Sequence, residues 1–394
     1  MEAEVGHSEI SGRIVHPFSG EIRSGRIIFQ DGLIKEIFAD DDVPDRFILP
    51  GLVDSHIHIE SSMLMPSRFA AAALRQGTLA AVCDPHEIAN VLGIEGIRGF
   101  LADAKHAPFS FVFGAPSCVP ATSLETSGAA LDADDIRTLF SDDGLAFLGE
   151  VMNVPGVLSG DPGLESRLEA AREAGLPIDG HAPGLLGPDL RSYVAAGIVT
   201  DHECSSTREA LEKIRQGMWI QIREGSAARN FADLLPLFFE APGRLMLASD
   251  DKHPDDLMAG HINLLVARAL AAGVSLGLVL RAACVNPVMH YRIPLGLLRP
   301  GDSADWIVVE APLEKMQVSE SWYHGRCVMR DGVYAGTLPP VTIQNRFAHV
   351  GVREDSLLPM ASRTACHKCQ ARVRVIEIED GQLVTGEGEA LLQV

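Results

Sequence analysis

The chain has 394 residues, room for two or three domains, and its 46% hydrophobic and 22% charged residues are the balance of a soluble globular protein. Lys+Arg 33 against Asp+Glu 53 leaves a net charge of −20, and so acidic a surface repels phosphate backbones. No stretch approaches the roughly 18 consecutive apolar residues of a membrane span, and MEAEVGHSEI at the N-terminus lacks the apolar run of a secretory signal, so neither nucleic-acid nor membrane partners are expected.

In chain order, Arg26–Phe29 and Leu33–Ile37 are short β-rich runs around Asp31-Gly32, a hairpin turn pair. The same texture returns in Asp305–Glu310, Arg326–Arg330, Asp331-Gly332 and Val333–Ala335. Residues 1–48 and 297–345 are therefore expected to build one composite β-sandwich from both ends of the chain. Between them, residues 49–296 alternate. Apolar, β-branched runs stand at Phe47–Val53, Thr78–Cys83, Phe109–Phe113, Leu145–Gly149, Leu176–Asp179, Ile198–Asp201, Met218–Ile222 and Leu245–Ser249. Helical periodicity separates them, as in Pro66–Gln76, Gly163–Ala174, Arg208–Gln216 and Leu257–Ala271. Pro162 and Gly175 bound one of these helices, and Thr207 and Gly217 bound the next. Eight such units predict an α/β protein with a (β/α)8 TIM-like barrel; a doubly wound open sheet is the alternative that periodicity leaves standing.

Polar residues gather at the ends of these runs. Asp54-Ser55-His56-Ile57-His58 follow the first, Asp84-Pro85-His86-Glu87 the second and Glu150 the fourth. His181, His202-Glu203, Arg223-Glu224 and Asp250-Asp251 follow the fifth to eighth. A barrel brings all strand C-termini to one face, so these residues should share a cavity. Side chains two apart on a strand point the same way, so His56 and His58 can reach one ion. Imidazole and carboxylate ligands suit divalent metals, and the count suggests two. His56, His58 and Asp250 would hold one ion, His181 and His202 the other, and Glu150 would bridge them. Water between two such ions would be acidified towards hydroxide, and Asp250 could take its proton and pass it to a leaving group, which is hydrolytic chemistry.

At these residues the sequence resembles the amidohydrolase superfamily, and within it the bacterial adenine deaminases. The resemblance rests on GLVDSHIHIESSM (51–63), DPHEIANVLG (84–93), PSCVPAT (116–122), GEVMNVPGVL (149–158), IDGHAPGL (178–185), AAGIVTDHEC (195–204), IREGSAARN (222–230) and SDDKHPDDL (249–257). It implies a barrel beside a composite β-sandwich, a binuclear metal site on His56, His58, Glu150, His181, His202 and Asp250, and hydrolysis of adenine to hypoxanthine and ammonia in purine salvage. Manganese or iron would be the first expectation for the two divalent ions, with zinc a further fit. A small-molecule substrate, a homo-oligomer and a cytoplasmic location follow from the same resemblance. Cyclic-amide or N-acyl amidohydrolases share the architecture, but many bridge their metals with a carboxylated lysine where this chain has Glu150. A non-catalytic relative is the other alternative.

The sequence departs from the resembled pattern twice. Family members continue through a further C-terminal domain, whereas residues 346–394 read as the start of a truncated C-terminal region. Related purine and cytosine deaminases often place HxxE at the fifth strand to protonate the ring, and here the sequence is His181-Ala-Pro-Gly184. Candidates for that proton are Glu60, His86, Glu87, Glu203 and Glu224. Arg223, Glu224 and Ser226 are candidates to read the purine edge, and Glu60, His86 and Asp251 to contact substrate or support the ligands. Asp251 and His253 are expected to tether the Asp250 loop. Seven scattered cysteines read as reduced thiols. Cys83, Cys118 and Cys284 are expected in the core, Cys366-His-Lys-Cys369 as an incidental CxxC, and His106 and His290 on helices.

Overall fold

In the computed structural model, which describes residues 8–122, 124–341, 370–383 and 385–393, the apolar run Phe47–Val53 is divided in two. Pro50 has no N–H to donate, so one ladder cannot run through it. Its first part closes an N-terminal group of strands: β1 (Ser8–Val15), β2 (Ile22–Gln30), β3 (Leu33–Ala39) and β4 (Arg46–Leu49). Its second part opens a parallel series. That series is β5 (Leu52–Ile57), β6 (Thr78–Cys83), β7 (Ser110–Ala115), β8 (Phe147–Val151), β9 (Ile178–Gly180), β10 (Thr200–Asp201), β11 (Trp219–Arg223) and β12 (Leu245–Ala248). The chain then returns through β13 (Trp306–Glu310), β14 (Val318–Tyr323), β15 (Arg326–Arg330) and β16 (Val333–Tyr334).

The strands that precede and follow the parallel series meet in one eight-stranded sheet, ordered β16-β15-β14-β13-β4-β1-β2-β3. Its core is built on Trp306, fully buried, with Phe29 edge-on at 5.0 Å and Trp322 stacked at 5.5 Å. The middle strands pair in parallel as β5-β6-β7-β8-β9 and β10-β11-β12. A parallel bridge between Ile57 and Asp250 joins the last of them to the first. Between β9 and β10 the Val199 N–H donates to the Ile178 carbonyl at 3.0 Å. The sheet therefore curls round on itself, and the open doubly wound alternative falls away. The architecture is an α/β TIM-like barrel with a separate β domain.

The local signals hold with three corrections, one of them His106, which lies outside the helix expected to carry it. Helix Pro162–Ala174 starts with Pro in its first turn, is capped by the Asp161 side chain, and stops at Gly175 with φ 64°. Helix Thr207–Arg215 is capped by Ser206, whose extended backbone lets its hydroxyl accept from Glu209 N; Thr207 instead donates its hydroxyl proton to the Asp233 carbonyl at 2.7 Å. The expected helix Leu257–Ala271 is two helices, Pro254–Ala259 and Ile262–Ala271, interrupted at Gly260 so that His261 turns into the core. Cys83, Cys118, Cys204 and Cys284 are buried thiols, and His106 lies just past helix Ile94–Ala104. Cys366 and Cys369 lie outside the described residues, as do residues 346–369 of the expected C-terminal region. Farther on, β17 (Gln370–Ile378) and β18 (Thr385–Gln393) form an antiparallel hairpin.

His290, on helix Asn286–Tyr291, packs between Trp219 at 5.4 Å and Tyr291 at 4.6 Å. Burial, helped by the Arg244 charge, lowers its imidazole from 6.5 to about 4. Between those values the unfolded chain takes up a proton that the folded one refuses. Its contribution to stability is therefore complete above pH 6.5 and is lost as pH falls, reaching about 3 kcal/mol by pH 4. We expect His290→Phe to flatten the fall in unfolding free energy between pH 6.5 and 4, measured by urea denaturation. An unchanged slope would remove His290 as its source.

Candidate metal centre

The seam that closes the barrel also carries the first group of ligand-type residues. His56 lies inside β5 and His58 one residue past it, while Asp250 follows β12. Asp250 N donates to the His56 carbonyl at 2.9 Å and His58 N to the Asp250 carbonyl at 3.3 Å. These bonds hold Asp250 at φ 56°, a left-handed conformation that costs a non-glycine residue roughly 1–3 kcal/mol. Glu150 sits within β8 rather than after it, and its backbone N–H donates to Asp84 Oδ2 at 2.8 Å. Gly149 makes that approach possible, since a Cβ there would lie 2.4 Å from the same oxygen. His181 and His202 follow β9 and β10.

All six side chains meet. Glu150 Oε2 is 2.9 Å from His181 Nδ1, 3.0 Å from His202 Nε2 and 3.9 Å from His56 Nε2, and its Oε1 is 3.6 Å from His58 Nε2. Asp250 Oδ1 is 3.1 Å from His58 Nε2 and 3.7 Å from His56 Nε2. The two Nε2 atoms of His56 and His58 face each other at 3.2 Å, and the His56 and His202 rings stack at 3.9 Å. Five of the six are buried, and His181 is the partly open one, its side chain 26% exposed.

Such a cluster fits a cation. Burial alone would push the Glu150 and Asp250 carboxyls up, but the imidazoles around them hold both well below the usual carboxylate range. Burial would likewise lower His58 and His202, yet the facing carboxylates hold both well above the ordinary histidine range. His56, deep among other imidazoles, is pushed the opposite way. His56 Nδ1 and His202 Nδ1 are buried and have no hydrogen-bond partner among the described residues. The ligand atoms of His56, His58 and Asp250 lie within 4.8 Å of one another, as do those of His56, Glu150 and His202, and both groups can hold a divalent ion.

The other expected residues divide into two rims. On one, Arg223 donates from Nη1 to Asp250 Oδ2 at 2.8 Å and from both terminal nitrogens to Glu203, so it braces Asp250, while its Nε is buried without a partner among the described residues. Glu224 turns outward to Arg268 and accepts from Phe231 N, while Ser226 donates to Asp256 at 2.5 Å. Asp251 accepts from Ser61 at 2.5 Å, and His253 N donates to Ser226 at 2.8 Å. On the other rim, His86 lies beside His58, ring centroids 4.4 Å apart, with Nδ1 3.5 Å from Glu150 Oε1. Glu60 accepts from Ile88 N at 3.1 Å, and burial together with the Glu87 charge raises its carboxyl to about 8. Glu60 Oε2, His86 Nδ1 and Glu87 Oε2 are without partners among the described residues.

Sequence reasoning missed one support. Asp54 accepts from His56 N at 3.3 Å, from Ser249 N at 3.0 Å and from the Ser249 hydroxyl at 2.5 Å, which ties β5 to β12. His261 Nε2 donates to the same carboxylate at 2.8 Å, with its Nδ1 on the Thr78 hydroxyl at 2.8 Å. The available signal was His261 after Gly260, a polar break within an otherwise apolar helical pattern.

The sequence profile of the Amidohydrolase family matches residues 47–334. The chain is 49% identical over 379 residues to the adenine deaminase of Salinibacter ruber, covering 96% of this chain and 68% of that protein. It is 45% identical over 382 residues to the adenine deaminase of Methanosarcina mazei, covering 95% and 69%. Among solved structures, a β-aspartyl dipeptidase from Fervidobacterium islandicum matches at TM-score 0.61 and 14% identity, covering 84% of this chain and 99% of that one. The dihydropyrimidinase of Brevibacillus agri also gives TM-score 0.61, at 13% identity, covering 84% and 97%. These two share the fold.

The two charged pairs of the β11 loop should differ in worth. Arg223→Met leaves Glu203 and Asp250 buried without their guanidinium and should cost roughly 3–5 kcal/mol. Glu224→Gln breaks a pair with a half-exposed arginine and should cost less than about 1 kcal/mol. Urea unfolding of metal-stripped protein measures both, and equal costs would contradict the assignment of Arg223 as the inner brace.

Proposed function

The chain belongs to the amidohydrolase family, which implies a divalent-metal site, and on that premise we propose that it catalyses the hydrolytic deamination of adenine to hypoxanthine and ammonia. The observation that carries this reading is the likeness to curated adenine deaminases along almost the whole chain. The contact of Glu150 with five imidazoles, those of His56, His58, His86, His181 and His202, supports it from the site. In this reading His56, His58 and Asp250 hold one divalent cation, His181 and His202 hold a second, and Glu150 spans both. Manganese or iron suits this set of nitrogen and oxygen ligands, and zinc fits it as well. When bound, the cations supply a water made acidic enough to attack at neutral pH.

The remaining work falls to side chains. Water must add at C6, a proton must reach N1, and the amine must leave as ammonia. Asp250 takes one proton of the attacking water and returns it to the departing amine, its carboxylate held in place by the seam and by Arg223, while the water's second proton, released as the C6 hydroxyl becomes a carbonyl, restores the group that protonated N1. The rim of Glu60, His86 and Glu87 is where this reading places the purine ring and the proton for N1. Glu203 is committed to Arg223 and Glu224 to Arg268, so both drop out as donors. Adenine is the small-molecule partner. A cytoplasmic homo-oligomer without nucleic-acid or membrane partners is proposed with it, on the acidic charge balance and the family resemblance.

Chelator-stripped protein should release ammonia from adenine only after manganese, iron or zinc is restored, and should leave hydantoins and N-acyl amino acids untouched. Turnover of those amides in place of adenine would overturn the substrate. Glu150→Gln should abolish ammonia release while leaving the fold cooperative; unchanged turnover would take Glu150 out of the mechanism. Asp250→Asn should lose about 10²–10⁴-fold in kcat with a smaller loss of bound metal. A variant as fast as the parent would refute its role in proton transfer.

A further inference from the structure

His181 and His202 are carried by the weakest part of the barrel, since β9 has 3 residues and β10 only 2. What replaces a strand ladder there is a buried charge cluster with no part in the chemistry described above. Lys213, on helix Thr207–Arg215, is completely buried. Its ammonium donates to the Ala182 carbonyl at 2.6 Å, to Glu209 Oε1 at 2.7 Å and to Asp201 Oδ2 at 3.0 Å. An ammonium has three protons and no lone pair, so all its hydrogen-bonding capacity is used.

The two carboxylates extend the grip to the loops. Asp201 Oδ1 accepts from Ala182 N at 2.8 Å, and its Oδ2 accepts from the Cys204 thiol at 3.1 Å. Glu209 accepts from Gly184 N at 2.8 Å and from Ser205 N at 3.3 Å. Every loop atom held in this way belongs to residues 182–184, just after His181, or to residues 201–205, which surround His202. By contrast, His56, His58 and Asp250 are fixed by the β5–β12 seam, by the Asp54–His261 pair and by Arg223, none of which is among the groups to which Lys213 donates.

We propose that Lys213 is the positioning residue of the His181–His202 half of the metal centre, setting the affinity for the second cation without touching it. The inference rests on the two-cation reading above. It separates the centre into a half fixed by strands and a half fixed by one buried cation of the protein itself.

The test is titration of metal-stripped protein with Mn2+, with free Mn2+ followed by electron paramagnetic resonance. The parent protein should take up two equivalents. Lys213→Met should keep one and weaken the other by about 10- to 100-fold, the usual effect of removing a group that orients a ligand. In a His181→Ala background, which lacks the second half already, adding Lys213→Met should leave the remaining equivalent unchanged. If Lys213→Met fails to fold, Glu209→Gln carries the test: it keeps the side-chain shape, removes one charge of the cluster, and should also weaken one equivalent alone. Two equivalents retained, or both lost together, would overturn the role of Lys213 and leave the two-cation reading intact. A parent protein that binds a single equivalent would overturn that reading and this inference with it.

Discussion

Six side chains with lone pairs or negative charge share a cavity from which water is largely removed, and they cannot satisfy one another. Hydrogen bonds among imidazoles need a proton for each contact, and buried charge without a counter-charge is costly. The cluster relieves this either by taking up protons or by binding a cation. That second course is only worth its cost if the side chains are prevented from relaxing apart, and much of the surrounding structure does this. A barrel is suited to the task because all eight strands deliver their C-terminal ends to one face.

The restraint has a recurring form, in which a buried carboxylate grips backbone N–H groups beside a ligand-type residue. Asp54 holds His56 N and Ser249 N, and Asp84 holds Glu150 N. Asp201 holds Ala182 N beside His181, and Glu209 holds Gly184 N and Ser205 N. A carboxylate accepts several such bonds at once, and hydrogen bonds to a charged group are among the stronger ones available. Two of these supports have a further partner: Asp54 accepts from His261, and the Asp201–Glu209 pair is balanced by Lys213. Part of the acidity of the chain is thus internal framework as well as surface.

The sequence disclosed the fold where a physical rule acts locally. Asp31-Gly32 marks a turn because glycine and aspartate tolerate positive φ, and both have it here, 54° and 75°. Eight apolar runs separated by helical periodicity indicated a barrel, and polar residues at their ends pointed to a shared cavity. Boundaries were less legible: Pro50 splits a run that hydropathy joins, and Glu150 and Arg223 lie inside strands whose apolar signal fades before they end. Long-range partners were not legible at all. Nothing near Glu224 announces that Arg268 will claim it, and Lys213 reads as an ordinary helix-surface lysine until the fold places Asp201 and Ala182 around it.

The pairing of charges around the mouth also decides where recognition can happen. On the β11 side, Glu224, Ser226 and the two terminal nitrogens of Arg223 are engaged by Arg268, Asp256, Glu203 and Asp250. A ligand approaching that side would have to break an existing bond to reach any of those groups. Across the mouth, Glu60 Oε2, His86 Nδ1 and Glu87 Oε2 are buried without partners among the described residues, each at a cost of about 1–3 kcal/mol. On the reading proposed above, a flat heterocycle that brings donors and acceptors to these atoms would recover that cost. An apolar ring of the same size cannot, and so unmet hydrogen bonds discriminate between ligands that shape alone would admit.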